Sequence, residues 1–378
     1  MKMKKLTAIA IVALLGSLSA NADDYAVYSL AGWGTYINDT GAIGGDFQLT
    51  PSVADHIVYG QFDADPYHEV AYSVAGGGIW IQNCDPADMV GGVRDTSGWQ
   101  VTTDDSSPDL AAADLNGDGL DEVIFTIPGG AWAGTYANNR TFAGNTKIHG
   151  APAALMASGQ FDADASDELV LNFAGSGVWI HDGLNIHGTG GASDTSIQPT
   201  PATSLGAGNV DGLGIDEVIY SLGDGSAAWH GVYVDPAGVG AAGAHYKIQG
   251  LLADSIAAGD VDADGSEEIL FGIGTGTAWA GTYVNENGMG TDTEVQNSVV
   301  NLIASGQFDA DASEELVFNI PGWGVYVNDN AWGSDVKIQN LDATALAVVP
   351  YVIPEPATLG LFAMVGGGML WMRKRFMI

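Results

Sequence analysis

Short apolar runs recur along residues 23–352, and each is bounded by glycine-, asparagine- or aspartate-rich turns. One unit shows the pattern. An apolar stretch from Leu155 to Phe161 enters an acidic loop, and a strand-like run from Glu168 to Phe173 leaves it. The turn Ala174-Gly175-Ser176-Gly177 then leads into Val178-Trp179-Ile180, and a later short strand completes the unit. Runs of this length, rich in β-branched and aromatic residues and punctuated by glycine, predict strands. Few segments outside the two ends carry helical periodicity, so the predicted class is all-β.

The unit repeats. Acidic loops begin at Gln61, Asp114, Gln160, Asn209, Asp260 and Gln307, which gives spacings of 53, 46, 49, 51 and 47 residues. A period of that size suits a four-stranded propeller blade. The segment Tyr25 to Tyr36 matches Glu315 to Tyr326 but lacks the strand that should precede it, and Ala343 to Val349 matches Ala253 to Gly259. The C-terminal strand therefore supplies what the N-terminal segment lacks. Six loop-bearing units and one split unit predict a seven-bladed β-propeller whose last blade is closed by strands from both termini, which removes exposed sheet edges.

Charge narrows the partners. The formal net charge is -35, but six of the 11 bases and one of the 46 acids lie in the terminal segments, leaving 45 acids against 5 bases in the body. Such a surface repels nucleic acid and anionic lipid. With an apolar fraction of 46%, the chain can still bury a large core. Cys84 is the only cysteine, so no intramolecular disulfide forms, and it reads as a buried small hydrophobe.

The ends differ from the body. Lys2, Lys4 and Lys5 precede the apolar run Leu6 to Leu18, and Ala20-Asn21-Ala22 supplies small residues for cleavage, so residues 1–22 are predicted to be a signal peptide. Residues 353–378 hold Pro354-Glu355-Pro356, an apolar stretch from Ala357 to Met372, and Arg373-Lys374-Arg375. As a helix that stretch would span about 24 Å, slightly short of a typical hydrocarbon core. These three elements in order resemble the bacterial PEP-CTERM sorting signal. The resemblance implies recognition by an exosortase, removal of a short transmembrane helix, and delivery to the cell surface or extracellular matrix of a Gram-negative bacterium. The alternative is an uncleaved single-helix anchor.

The acidic loops carry the candidate metal chemistry. Asp114, Asn116, Asp118 and Glu122 stand at loop positions one, three, five and nine, with Gly119 at six and the Leu120 carbonyl at seven. Asp260, Asp262, Asp264, Ser266 and Glu268 repeat the arrangement around Gly265. Alternate oxygen donors on a tight turn suit Ca²⁺, and these two loops are expected to bind best. Three loops begin with glutamine and lack the glycine: Gln61, Asp63, Asp65 and Glu69; Gln160, Asp162, Asp164 and Glu168; Gln307, Asp309, Asp311 and Glu315. Weaker binding is expected there. The fourth loop, Asn209, Asp211 and Glu217, has Leu213 in place of a ligand and is the poorest. The alternative is that the aspartates only cap their turns as Asx motifs.

Asp114 to Glu122 with the Val-Ile-Phe strand that follows resembles an FG-GAP or VCBS-type repeat, the blade of the integrin α-subunit propeller. At the level of repeat architecture the likeness extends over about residues 23–352. It implies loops that bind Ca²⁺ to stabilise the blade hairpin, and it implies no catalysis.

Two aromatic columns follow the loops. Tyr36, Trp80, Tyr136, Trp179, Tyr233, Tyr283 and Tyr326 fall in strands and read as packing between blades. Trp33, Trp132, Trp229, Trp279 and Trp323 fall in glycine-rich hairpins, where a flat ring can stack on a sugar. The seven histidines are scattered, with no HExxH or Gly-x-Ser-x-Gly motif, and glycine-rich turns lie between strands and not before a helix. The expected function is an exported, calcium-stabilised binding or scaffold protein without catalytic activity. A lectin-like binder of exopolysaccharide is the alternative; another surface protein as partner, and a polysaccharide-processing glycosidase or lyase, follow.

Overall fold

The computed structural model describes residues 24–38, 46–64, 67–84, 98–103, 107–139, 144–183, 193–223, 230–236, 245–274, 279–286, 291–309, 311–329 and 333–350. They form seven four-stranded antiparallel sheets, a seven-bladed β-propeller. Blade 1 orders Ala343–Val349, Tyr25–Leu30, Gly34–Asn38 and Asp46–Thr50, so it is built from both ends of the body. Blade 2 is His56–Gly60, Glu69–Val74, Gly78–Asn83 and Gly98–Thr102; blade 3 is Leu110–Ala113, Glu122–Ile127, Gly134–Asn138 and Asn145–His149. Blade 4 is Leu155–Gly159, Glu168–Phe173, Gly177–Asp182 and Ser193–Gln198; blade 5 is Ala202–Gly208, Glu217–Gly223, His230–Asp235 and Tyr246–Gln249. Blade 6 is Ala253–Gly259, Glu268–Ile273, Gly281–Asn285 and Asp292–Gln296; blade 7 is Leu302–Gly306, Glu315–Ile320, Gly324–Asn328 and Asp335–Gln339.

First strands of successive blades pack against one another all the way round, which places them innermost. Second strands are buried on both faces, as in Glu168–Phe173 and Glu268–Ile273. That double burial is why each that follows an acidic loop carries three successive apolar residues after its glutamate, such as Leu169-Val170-Leu171, in place of strict polar alternation. Seven apolar clusters fill the seven interfaces; one, for example, joins Phe161, Val170 and Ile180 of blade 4 to Val218, Tyr220 and Tyr233 of blade 5. Cys84 is buried in the cluster between blades 1 and 2. Among the described residues no helix is long and apolar enough to cross a membrane. The predicted signal peptide and sorting signal lie outside the described residues.

The acidic loops join first and second strands at one end of the ring. The tryptophan hairpins join second and third strands at the other end, because each second strand runs from its loop to its hairpin.

The inner seams between blades are laced by backbone. The carbonyl at loop position one accepts the N–H of the position-eight residue on the next blade: Gln61 from Asp121, Asp114 from Asp167, Gln160 from Asp216, Asn209 from Glu267, and Asp260 from Glu314, at 2.8 to 3.0 Å. In four of these seams the same acid also accepts the position-one N–H through its side chain. Glu314 instead turns its carboxylate to Ser305. At Gly60, Gly159 and Gly208, a Cβ would strike the neighbouring blade's acid, so close approach explains the glycine.

Candidate calcium loops and an exposed tryptophan face

Each acidic loop is organised by its position-nine glutamate. One carboxylate oxygen accepts the N–H of the position-two residue: Phe62 to Glu69, Leu115 to Glu122, Phe161 to Glu168, Val210 to Glu217, Val261 to Glu268 and Phe308 to Glu315. All six glutamates are buried. Burial first, with nearby loop aspartates adding to it, pushes Glu122, Glu168, Glu268 and Glu315 up to about 7. A cation among these oxygens would offset that repulsion and hold the carboxylates ionised.

The loops then divide by what occupies position one. Asp114 accepts the N–H groups of Asp118 and Gly119, and Asp260 those of Asp264 and Gly265. Both turns pass through the left-handed region at position four, with Gly117 at φ 69° and Ala263 at φ 62°. Leu120 and Ser266 lie next in the turn, their N–H groups bonded to Asp118 and Asp264. In the second loop the Asn116 amide donates to the free oxygen of Glu122 at 2.7 Å, so that oxygen is already engaged.

Glutamine loops work differently. Gln61, Gln160 and Gln307 donate their amide N–H to carbonyls of Asp63, Asp164 and Asp311. This turns the Oε1 atoms of Gln160 and Gln307 inward, where they are buried with no hydrogen-bond partner. The Oε1 atoms of Glu168 and Glu315 are buried and unpartnered in the same two loops. An unpaired buried oxygen is costly, and two in one turn could share a cation. Oxygens of Asp162, Asp164 and Glu168, of Asp260, Asp262 and Glu268, and of Asp309, Glu315 and Asp329 lie within 4.8 Å of one another, so three loops gather carboxylates that can hold a metal ion. Asp329 enters from beyond the third strand of blade 7, a contribution that the loop spacing does not show. Asp65 lies outside the described residues.

The opposite face carries the indoles. Trp33, Trp132, Trp279 and Trp323 are 62%, 73%, 60% and 66% exposed, and Trp229 lies outside the described residues. The turns of Trp33 and Trp132 are clamped from below. The Tyr36 hydroxyl and the Gln48 amide both donate to the Trp33 carbonyl, and the Tyr136 hydroxyl donates to the Trp132 carbonyl at 2.6 Å. Lys147 and Lys247 donate to the carbonyls of Ala133 and His230 while lying over the rings of Tyr136 and Tyr233. In blades 2 and 4, whose turns lack tryptophan, the strand residue is itself tryptophan: Trp80 and Trp179 donate Nε1–H to Gly77 and Ser176. The clamp is kept while the exposed ring is lost. Strand tyrosines also stack on the preceding strand, as Tyr283 does on Phe271 with centroids 5.8 Å apart.

Sequence spacing did not single out the position-eight acids, although each precedes the loop glutamate as an acidic pair. Several of them face the central channel around Tyr59, which is 41% exposed there. Desolvation by the protein around it raises the Tyr59 hydroxyl to about 12 although the side chain is part-exposed, helped by Glu314, Asp24, Glu267 and Asp121.

No family model matches the chain, and no curated protein matches it. Solved structures do. The crystal structure of BBS1N in complex with ARL6DN, soaked with lead, superposes with TM-score 0.56 at 10% identity, covering 89% of this chain and 90% of that one. The mercury-soaked crystal of the same complex gives 0.51 at 10% identity, covering 85% and 84%. At such identity the likeness shows the propeller fold alone.

Proposed function

We propose that this protein is an exported, calcium-stabilised, non-catalytic propeller of the cell surface or extracellular matrix that binds exopolysaccharide through its tryptophan face. The exposure of four indoles at one end of the ring, those of Trp33 and Trp132 on clamped turns, is the observation that carries the binding reading. Rigid, exposed aromatic rings supply contact area at little entropic cost, which suits stacking on sugar faces. Export and exosortase processing rest on the resemblance of the termini to a PEP-CTERM protein. Calcium rests on the FG-GAP-like spacing and on the orphaned oxygens of the third and sixth loops.

A glycan array probed with and without a chelator tests this reading. Binding to surface or matrix glycans is expected, together with a lower melting temperature after chelation; absence of any glycan binding would sink it. The acids around Tyr59 favour a second reading, a polysaccharide-processing enzyme, because converging carboxylates are what glycoside hydrolysis uses. In the proposed function they serve the blade seams, so incubation with a bound glycan should release no new reducing ends or unsaturated products.

A further inference from the structure

We infer that the glycan held on this face is a cationic amino-sugar polymer, of the poly-glucosamine class, lying along the arc formed by blades 6, 7 and 1. The inference rests on the carbohydrate-binding reading and specifies its ligand.

The indoles are unevenly placed. Trp279, Trp323 and Trp33 belong to three consecutive blades, whereas Trp132 on blade 3 stands between blades 2 and 4, whose turns carry none. Leu341, 43% exposed on the connection from blade 7 to blade 1, adds apolar surface within the arc. A polymer crossing this arc meets a ring on each successive blade, and linked contacts reinforce one another.

Charge selects among polymers. Asp342 is exposed beside Trp323, and both its oxygens accept the Gly322 N–H, at 2.8 and 2.7 Å. Asp254 is exposed against the start of the Trp279 hairpin, close enough that a Cβ on Gly274 would strike it. The lysines among the described residues are committed: Lys147 and Lys247 to turn carbonyls, and Lys337 to the Tyr326 ring, 5.4 Å from its centroid. A uronate or sulfated polymer would meet fixed acids and a body with 45 acids against 5 bases. An ammonium group on the sugar meets the reverse: a carboxylate beside Trp323, another at the start of the Trp279 hairpin, and indole faces that attract cations. Neutral sugars would use the rings and leave the two acids idle.

Calorimetric titration of the full-length chain in calcium at pH 6, where amino sugars are protonated, tests this with a glucosamine hexasaccharide, an N-acetylglucosamine hexasaccharide, a guluronate hexasaccharide and a lysine hexapeptide. The glucosamine hexamer should bind roughly tenfold tighter than its acetylated counterpart, the scale of a partly desolvated cation–π contact, and the guluronate should not bind. Trp33→Ala and Trp323→Ala should each weaken the glucosamine hexamer without shifting the melting temperature. Asp342→Asn should weaken it and spare the acetylated one. Equal or tighter binding of the acetylated hexamer or the guluronate would overturn the cationic class and leave the glycan reading standing. Lysine hexapeptide binding as tightly as the glucosamine hexamer, with both indifferent to the tryptophan variants, would reduce the site to bulk charge and overturn the inference. If no saccharide binds, the inference fails together with the proposed function.

Discussion

Asp24 and Gln307, 283 residues apart, form the seam that closes the ring: the Asp24 carboxylate accepts the Gln307 N–H at 2.8 Å, and the Asp24 N–H donates to the Gln307 carbonyl at 2.6 Å. This is the same reciprocal pair that Asp216 makes with Gln160. Replacing Asp24 with alanine leaves the Gln307 N–H without its partner. A loss of about 1–3 kcal/mol is expected, the cost of an unsatisfied buried donor. Urea unfolding with unchanged m-value would register it; a loss below half a kcal/mol would mean that the seam does not depend on this side chain.

Calcium should bind where oxygens are orphaned. Glu168→Gln and Glu315→Gln each remove a charge from a loop whose Oε1 atoms lack partners, so each should lower the bound calcium, counted by atomic emission after dialysis, by one ion. Glu217→Gln, in the loop where Leu213 replaces a ligand, should leave the count unchanged. Each filled site stabilises by roughly 2.7 kcal/mol at a hundredfold excess over its Kd. An equal count in all three variants would contradict the assignment.

How much of this is legible in the chain depends on how local the cause is. The blades are legible because double burial puts three successive apolar residues at the centre of the second strands, and the ring closure because Ala343–Val349 copies a first strand. The clustering of loop carboxylates is legible because alternate side chains of one turn share a side. The orphaned Gln160 and Gln307 oxygens are not, since the amide's orientation is set by a loop carbonyl that only the folded turn presents. Asp121 and its equivalents are visible as acidic pairs, but their partners lie on the preceding blade. The charge of the tryptophan face is likewise assembled from separate connections, such as Asp342 against Gly322.

Asp109 should give the ring a pH dependence apart from the loops. Burial raises its carboxyl to about 7 from an ordinary 3.8, though it accepts the N–H groups of Met156 and Leu110. The folded state therefore keeps a proton that the unfolded chain loses, and this contribution to stability falls as pH rises from about 4 to 7. His56, 3.7 Å away, is lowered by its own burial and works in the opposite direction. In saturating calcium, where the loop glutamates are held ionised, Asp109→Asn should match the parent near pH 4 and melt higher at pH 7.5. A melting difference that does not grow with pH would refute the assignment.

Ala263 is the one non-glycine among the described residues with positive φ, at 62°, where the second and fourth loops place Gly117 and Gly212. The left-handed region costs an L-residue about 1–2 kcal/mol, and glycine gives back about 0.5–1 kcal/mol in unfolded-chain entropy. Ala263→Gly should therefore stabilise by up to about 1 kcal/mol. Thermal unfolding in chelator, with the calcium contribution removed, isolates the backbone effect, and a destabilised variant would show that the turn relaxes without strain.

The seventh seam, between blades 1 and 2, breaks the pattern for a reason that can be tested. Pro350 stands where the other blades have loop position one, so there is no N–H for an acid to accept. The residue at position eight is accordingly His68, whose ring hydrogen-bonds the Pro350 backbone and whose pKa is lowered by burial, keeping it neutral and able to donate to the carbonyl. Installing the acid that serves the other seams should harm this one. In His68→Asp a carboxylate would face a carbonyl oxygen, with Asp24 close by, and a loss of about 1–3 kcal/mol is expected. Pro350→Ala restores an N–H and should recover part of that loss when combined with His68→Asp, although alone it gives little. Denaturant melts of the two single variants and the double variant form a cycle whose coupling should be favourable. Strict additivity would mean that position eight is chosen for something other than the backbone group across the seam.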